Sequence, residues 1–113
     1  MRFFLKSKIH RATVTEANLN YIGSITIDSM LMEKVGLEEY EKVHVWNISN
    51  GERIETYAVK AKMNSGIICL NGAAARKFSV GDKVIITSFE LSGKPAKPKI
   101  ILVNEKNKFE KYL

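Results

Sequence analysis

The chain has 113 residues, 45% hydrophobic and 27% charged, which fits one globular domain and excludes both a disordered tract and a collagen-like repeat. No apolar run approaches the roughly 18–20 residues that span a bilayer, and Met1-Arg2-Phe3-Phe4-Leu5-Lys6 is too short for a signal-peptide core, so a cytoplasmic protein without a membrane partner is expected. The net charge of +6 invites a nucleic-acid reading, but Lys94, Lys97, Lys99, Lys106, Lys108 and Lys111 crowd into residues 94–113 against only Glu105 and Glu110, as in a solvated tail rather than a basic stripe.

Turn signals are frequent and long helical periodicity is rare, which predicts a mainly β barrel or sandwich. Residues 2–9 and 12–15 read as strands, the second rich in β-branched side chains. Asp28-Ser29 can cap a short helix with Leu31, Met32 and Val35 on one face, stopped by Gly36. Val43 to Ile48 reads as a strand, Asn50-Gly51 as a hairpin turn, and Arg53 to Met63 as the returning partner. In that partner Tyr57, Val59, Ala61 and Met63 alternate with Lys60 and Lys62, which predicts an apolar core-facing row. Ile67 to Leu70 is a short strand, Asn71-Gly72 opens a helical turn over Ala73-Ala74-Ala75, and Lys83 to Phe89 is a buried strand. One domain over 1–93 and a polar, lysine-rich tail over 94–113, with few core contacts, complete the layout.

Common catalytic patterns are missing. The chain has no Gly-rich phosphate loop and no His-Glu-x-x-His motif, and its single cysteine, Cys69, excludes a multi-cysteine zinc site. His10 and His44 lack the local spacing of a metal pair, so no metal is expected. Cys69, within Ile67-Ile68-Cys69-Leu70, reads as a small core residue.

Several segments, weak one by one, occur together. They are Lys8-Ile9-His10-Arg11, Tyr21-Ile22-Gly23-Ser24-Ile25-Thr26-Ile27-Asp28, Trp46-Asn47 with Asn50-Gly51, Arg53 with Thr56-Tyr57-Ala58, Asn71-Gly72-Ala73-Ala74-Ala75, and Ser79-Val80-Gly81-Asp82 with Val84-Ile85-Ile86. In this order and spacing, over residues 1 to about 90, the chain resembles the pyruvoyl-dependent aspartate 1-decarboxylases.

The resemblance implies a six-stranded double-psi β-barrel with short helices, assembled as a homotetramer with sites between subunits. It implies self-cleavage between Gly23 and Ser24 into a β chain (1–23) and an α chain (24–113), Ser24 becoming a covalently built pyruvoyl group. Glycine before the serine leaves the attacked carbonyl uncrowded. The substrate implied is L-aspartate, bound to the pyruvoyl carbonyl as an imine and converted to β-alanine and CO2 for pantothenate and coenzyme A. Lys8 and Arg53 match the substrate-binding cations, and a guanidinium fork suits a carboxylate. Tyr57 matches the proton donor. Thr56, Asn71, Gly72, Ala73 and Ala74 match substrate contacts, Asn71 also reading as a cap of its turn, and His10, Tyr21, Trp46 and Ile85 match pocket walls. Whether a maturation factor assists stays open. The competing reading, from the residues alone, is a non-enzymatic β-barrel binding module whose basic tail touches nucleic acid.

Overall fold

The computed structural model describes residues 1–22 and 24–113. It contains nine strands: β1 (Arg2–Thr13), β2 (Glu16–Asn18), β3 (Ile25–Asp28), β4 (Lys42–Asn47), β5 (Arg53–Ala61), β6 (Ile68–Asn71), β7 (Lys83–Ser92), β8 (Lys99–Val103) and β9 (Phe109–Tyr112). One helix, α1 (Ser29–Val35), and a 3-10 turn (Gly72–Lys77) complete the secondary structure. The strands hydrogen-bond in the order β2-β6-β3-β5-β4-β7-β1-β8-β9. The pairs β1/β8, β2/β6 and β3/β5 are parallel and the rest antiparallel. Among the described residues the fold is mainly β, as expected, with nine strands where six were anticipated and a pairing order that ends at β2 and β9.

Alternation along the strands separates an inner face from an outer one. Ile54, Val45, Ile86, Ile9 and Ile101 stand level on β5, β4, β7, β1 and β8; all are fully buried except the partly buried Ile54. Ile25, Ala58 and Leu70 form a second fully buried row on β3, β5 and β6, and both rows join one core cluster. Each such isoleucine or leucine contributes about 1.5–3 kcal/mol through burial. Helix α1 closes part of this core with Leu31, Met32 and Val35. Its ends follow the expectation: Asp28 accepts the Met30 N–H at 2.9 Å, and Gly36 stops the helix at φ +73°. None of the described helices is long and apolar enough to cross a membrane.

Three expectations need correction. Residues 2–9 and 12–15 are not two strands, because β1 runs through with irregularities between Leu5 and Ser7 and between His10 and Ala12, Arg11 adopting φ +65°. The row Tyr57, Val59, Ala61, Met63 is not the core side of β5: Tyr57 and Met63 are exposed and Ala58 is fully buried. Residues 94–113 are not a solvated tail. They form β8, parallel to β1 with Ile101 and Val103 in the core, and β9 beside it. The run Ile100-Ile101-Leu102-Val103 supplies a strand that the surrounding lysines mask in the average composition.

Candidate active site

The outer face begins where the buried rows end. Level with one another beside the buried Ile9–Ile86–Val45–Ile54 row stand His10, Ile85, Trp46 and Arg53, on β1, β7, β4 and β5. On its other side Lys8, His44 and Glu55 form the next level of the same face, with the fully buried Thr87 between Lys8 and His44. Tyr57 continues that face on β5, level with Lys42. Strand register thus places Lys8, His10, Trp46, Arg53, Tyr57 and Ile85 on the outer face of the neighbouring strands β1, β7, β4 and β5. Thr56 is not brought there: it alternates with Tyr57 and is level with the buried Val43.

Ser24 immediately precedes β3. Ile25 is level with Ala58 on parallel β5 and with Leu70 on antiparallel β6, so Ser24, one step earlier, is level with Tyr57 and Asn71. The Asn71 N–H donates to the Ser24 carbonyl oxygen at 2.8 Å. The bond expected to be cut involves Gly23, which lies outside the described residues.

Asn71 is almost fully buried, and its side chain does not cap the following turn. Its Nδ2 donates to Thr26 Oγ1 at 2.9 Å, and its Oδ1 accepts from Cys69 Sγ at 2.9 Å. A residue two positions away on each of β3 and β6 therefore fixes the Asn71 amide. The same single S–H also faces Glu16 Oε2 at 3.1 Å, so it is shared between the two acceptors. Burial first, and then the hydrogen bond to and charge of Glu16, push the thiol up to about 12, so it stays protonated and serves as a donor. The period-two spacing Ser24–Thr26 and Cys69–Asn71 is the signal by which this support could have been read. After Asn71, Gly72 takes φ +60°, and an added Cβ would lie 3.3 Å from the Tyr21 carbonyl oxygen, so a side chain there is doubly disfavoured. Ala73 and Ala74 follow in the 3-10 turn, and the Tyr21 side chain is exposed.

At the other end of the face the Arg53 guanidinium lies over the Trp46 ring, 4.6 Å from its centroid. Stacking orients the fork and leaves its N–H edges available to a carboxylate. His10 is half-buried, and its Nδ1 is buried without a hydrogen-bond partner among the described residues. Desolvation, followed by the nearby charges of Lys8 and Arg11, lowers its pKa from the usual histidine value. The motif Ser79-Val80-Gly81-Asp82 belongs to the scaffold: Asp82 accepts from Asn47 Nδ2 at 2.8 Å and from the Ser79 N–H at 2.9 Å.

A sequence model described as aspartate decarboxylase matches residues 1–110. A protein of Caldicellulosiruptor saccharolyticus named aspartate 1-decarboxylase is 62% identical over 111 residues, covering 95% of this chain and 87% of that one. Proteins of the same name from Clostridium botulinum (strain Loch Maree) and Lactiplantibacillus plantarum are 58% and 54% identical, each over 95% of this chain and over 87% and 85% of their own lengths. Among solved structures, the rationally designed protein mkDPBB_sym1 is similar at a TM-score of 0.49 and 20% identity, over 70% of this chain and 93% of its own.

Proposed function

The chain belongs to the aspartate decarboxylase family, and from that premise we propose that it is a self-processing, pyruvoyl-dependent enzyme converting L-aspartate to β-alanine and CO2 for pantothenate synthesis. The observation that carries the site is the 2.8 Å hydrogen bond from the Asn71 N–H to the Ser24 carbonyl, just before the Ile25–Ala58–Leu70 row. In maturation the Ser24 hydroxyl attacks the Gly23 carbonyl, the amide C–N bond breaks and an ester forms. Elimination from the ester releases the Gly23 carboxylate and leaves dehydroalanine at position 24. Water then converts the dehydroalanine to a keto group, with release of ammonia.

The residues present fit that product. Conversion changes the side chain and the N-terminal side of residue 24 but keeps its carbonyl, the atom held by the Asn71 N–H. Once formed, the keto group supplies an electron sink for the pair left when the α-carboxylate departs as CO2. Around it, Tyr57 holds a phenolic proton for the carbon that loses CO2. Arg53 and Lys8 bind the substrate carboxylates, the first through its fork and the second as a point charge. Gly72, Ala73 and Ala74 keep short side chains beside the Asn71 anchor, so a small ligand can approach the backbone closely. Trp46 fixes Arg53, and His10, Ile85 and Tyr21 complete the walls.

We further infer that the enzyme works in the cytoplasm as a homotetramer whose sites lie between subunits. The separation of Arg53 from Tyr57 supports this. Four positions along an extended strand separate their backbones by about 13 Å, and the Arg53 guanidinium is turned onto Trp46 of β4 rather than toward Tyr57. An arginine and a tyrosine that serve one aspartate are then drawn most simply from neighbouring copies.

Intact mass and activity test the reading. The purified protein should appear as residues 1–23 and residues 24–113, the latter starting with a keto group. Ser24→Ala should give one uncut chain that forms no β-alanine from L-aspartate, because both attacking oxygen and keto precursor are gone. Activity in an uncut Ser24→Ala protein overturns the proposal.

A further inference from the structure

Glu55 stands between Arg53 and Tyr57 on the exposed side of β5, an anion in the middle of a face that has to receive an anionic substrate. Side chains two positions apart on one strand face are about 7 Å apart, within joint reach of a glutamate and an arginine. Glu55 is exposed, so packing does not bar it from Arg53. The arrangement found is the opposite one. Glu55 Oε1 lies 3.7 Å from His44 Nε2 and 3.8 Å from Lys42 Nζ, both on neighbouring β4. Arg53 points to Trp46 and forms no ion pair with a carboxylate among the described residues. The His44 ring is itself fixed by an edge-on contact with Phe89, their centroids 5.3 Å apart.

We infer that Lys42 and His44 are positioning residues that draw Glu55 toward β4 and so keep the Arg53 guanidinium open for a substrate carboxylate. The inference rests on the assignment of Arg53 as a substrate cation. Lys42 supplies the opposing charge, and His44, braced by Phe89, supplies a ring edge beside the carboxylate. Without them the nearest cation on the same strand face is Arg53. An intramolecular Glu55–Arg53 pair would then compete with L-aspartate for the same fork.

The test uses the cleaved, assembled enzyme. The double variant Lys42→Met with His44→Phe keeps the lysine stem and the contact with Phe89 but removes both attractions on Glu55. Its KM for L-aspartate should rise about three- to fivefold with kcat unchanged, the weight of one exposed ion pair. Adding Glu55→Gln should return KM to the wild-type value, a rescue that general damage to the sheet would not show. An unchanged KM in the double variant, or a raised KM that Glu55→Gln leaves raised, overturns the inference. Arg53→Gln is measured alongside. If it raises KM strongly while the double variant does not, only the positioning role fails; if it leaves KM unchanged, the Arg53 assignment itself fails and takes the positioning role with it.

Discussion

Tyr57 is 39% exposed on a strand whose buried side holds Ala58, so little stability depends on its hydroxyl. This makes Tyr57→Phe a clean separation of maturation from turnover. Cleavage draws on Ser24 and should proceed, whereas β-alanine formation should fall about 10²–10⁴-fold, the contribution of a positioned general acid. Mass spectrometry confirms the cut and product formation gives the rate; near wild-type turnover in the cut protein moves the proton donor elsewhere. His10 makes a second prediction at this scale. Its folded pKa lies below the unfolded one, so the folded state resists protonation that the unfolded chain accepts. Stability should therefore be unaffected by this group above the unfolded histidine value near 6.5 and decline as pH falls from there toward the lowered value. His10→Asn should flatten that part of a melting-temperature profile between about pH 6.5 and pH 5. An identical acid slope in both proteins excludes His10 as its source.

Strands and turns with local signals were legible in the sequence. The α1 cap at Asp28, its stop at Gly36 and the turn at Asn50-Gly51 each arise from residues within one short segment, and each stands where the pattern put it. Partners distant in sequence were not legible. The parallel neighbour of β1 is β8, some 90 residues later, and nothing in the run Lys99 to Val103 announces which edge it joins. The face of β5 was also misread, because period two gives two rows and composition favoured the wrong one: the methionine and tyrosine of the apolar row are exposed, and the core side is held by Ala58 with the partly buried Ile54. The C-terminal elements are consequently part of the folding unit. Asn107, buried at φ +59°, accepts from the Thr13 N–H at 2.7 Å and donates to the Thr13 and Gly66 carbonyls at 2.8 Å, tying the β8–β9 turn to the end of β1 and to the loop before β6. Truncation after Gly93 should thus abolish a cooperative melt and leave the chain uncut, while Ile101→Ala in the full chain should cost about 2–4 kcal/mol in denaturant unfolding. A truncated chain that melts cooperatively and cuts itself shows β8 and β9 to be dispensable.

On the scale of the whole molecule, the outer face has two ends with different chemistry. Ser24, Tyr57 and Asn71 lie at one, where β3, β5 and β6 meet, and Arg53, Trp46 and His10 lie at the other. The sequence resemblance names the members of both ends but not their separation, which comes from strand register alone. If neighbouring copies place one chain's Arg53 against another chain's Tyr57, two defects in different chains can complement each other. A Tyr57→Phe chain retains a sound Arg53 end, and an Arg53→Gln chain retains a sound Tyr57 end. Each homotetramer should be nearly inactive, since every site has one defect. In tetramers mixed at random from equal amounts, about a quarter of sites between neighbours pair the two sound ends, and about a quarter of wild-type activity should return. Co-expression with two distinguishable tags, tandem purification and native mass spectrometry would establish that the chains have mixed before β-alanine formation is measured. Activity near a quarter of wild type supports sites shared between copies. Verified mixed tetramers no more active than either parent would instead mean that Arg53 and Tyr57 serve one aspartate from the same chain, with the arginine reaching back along β5 to do so.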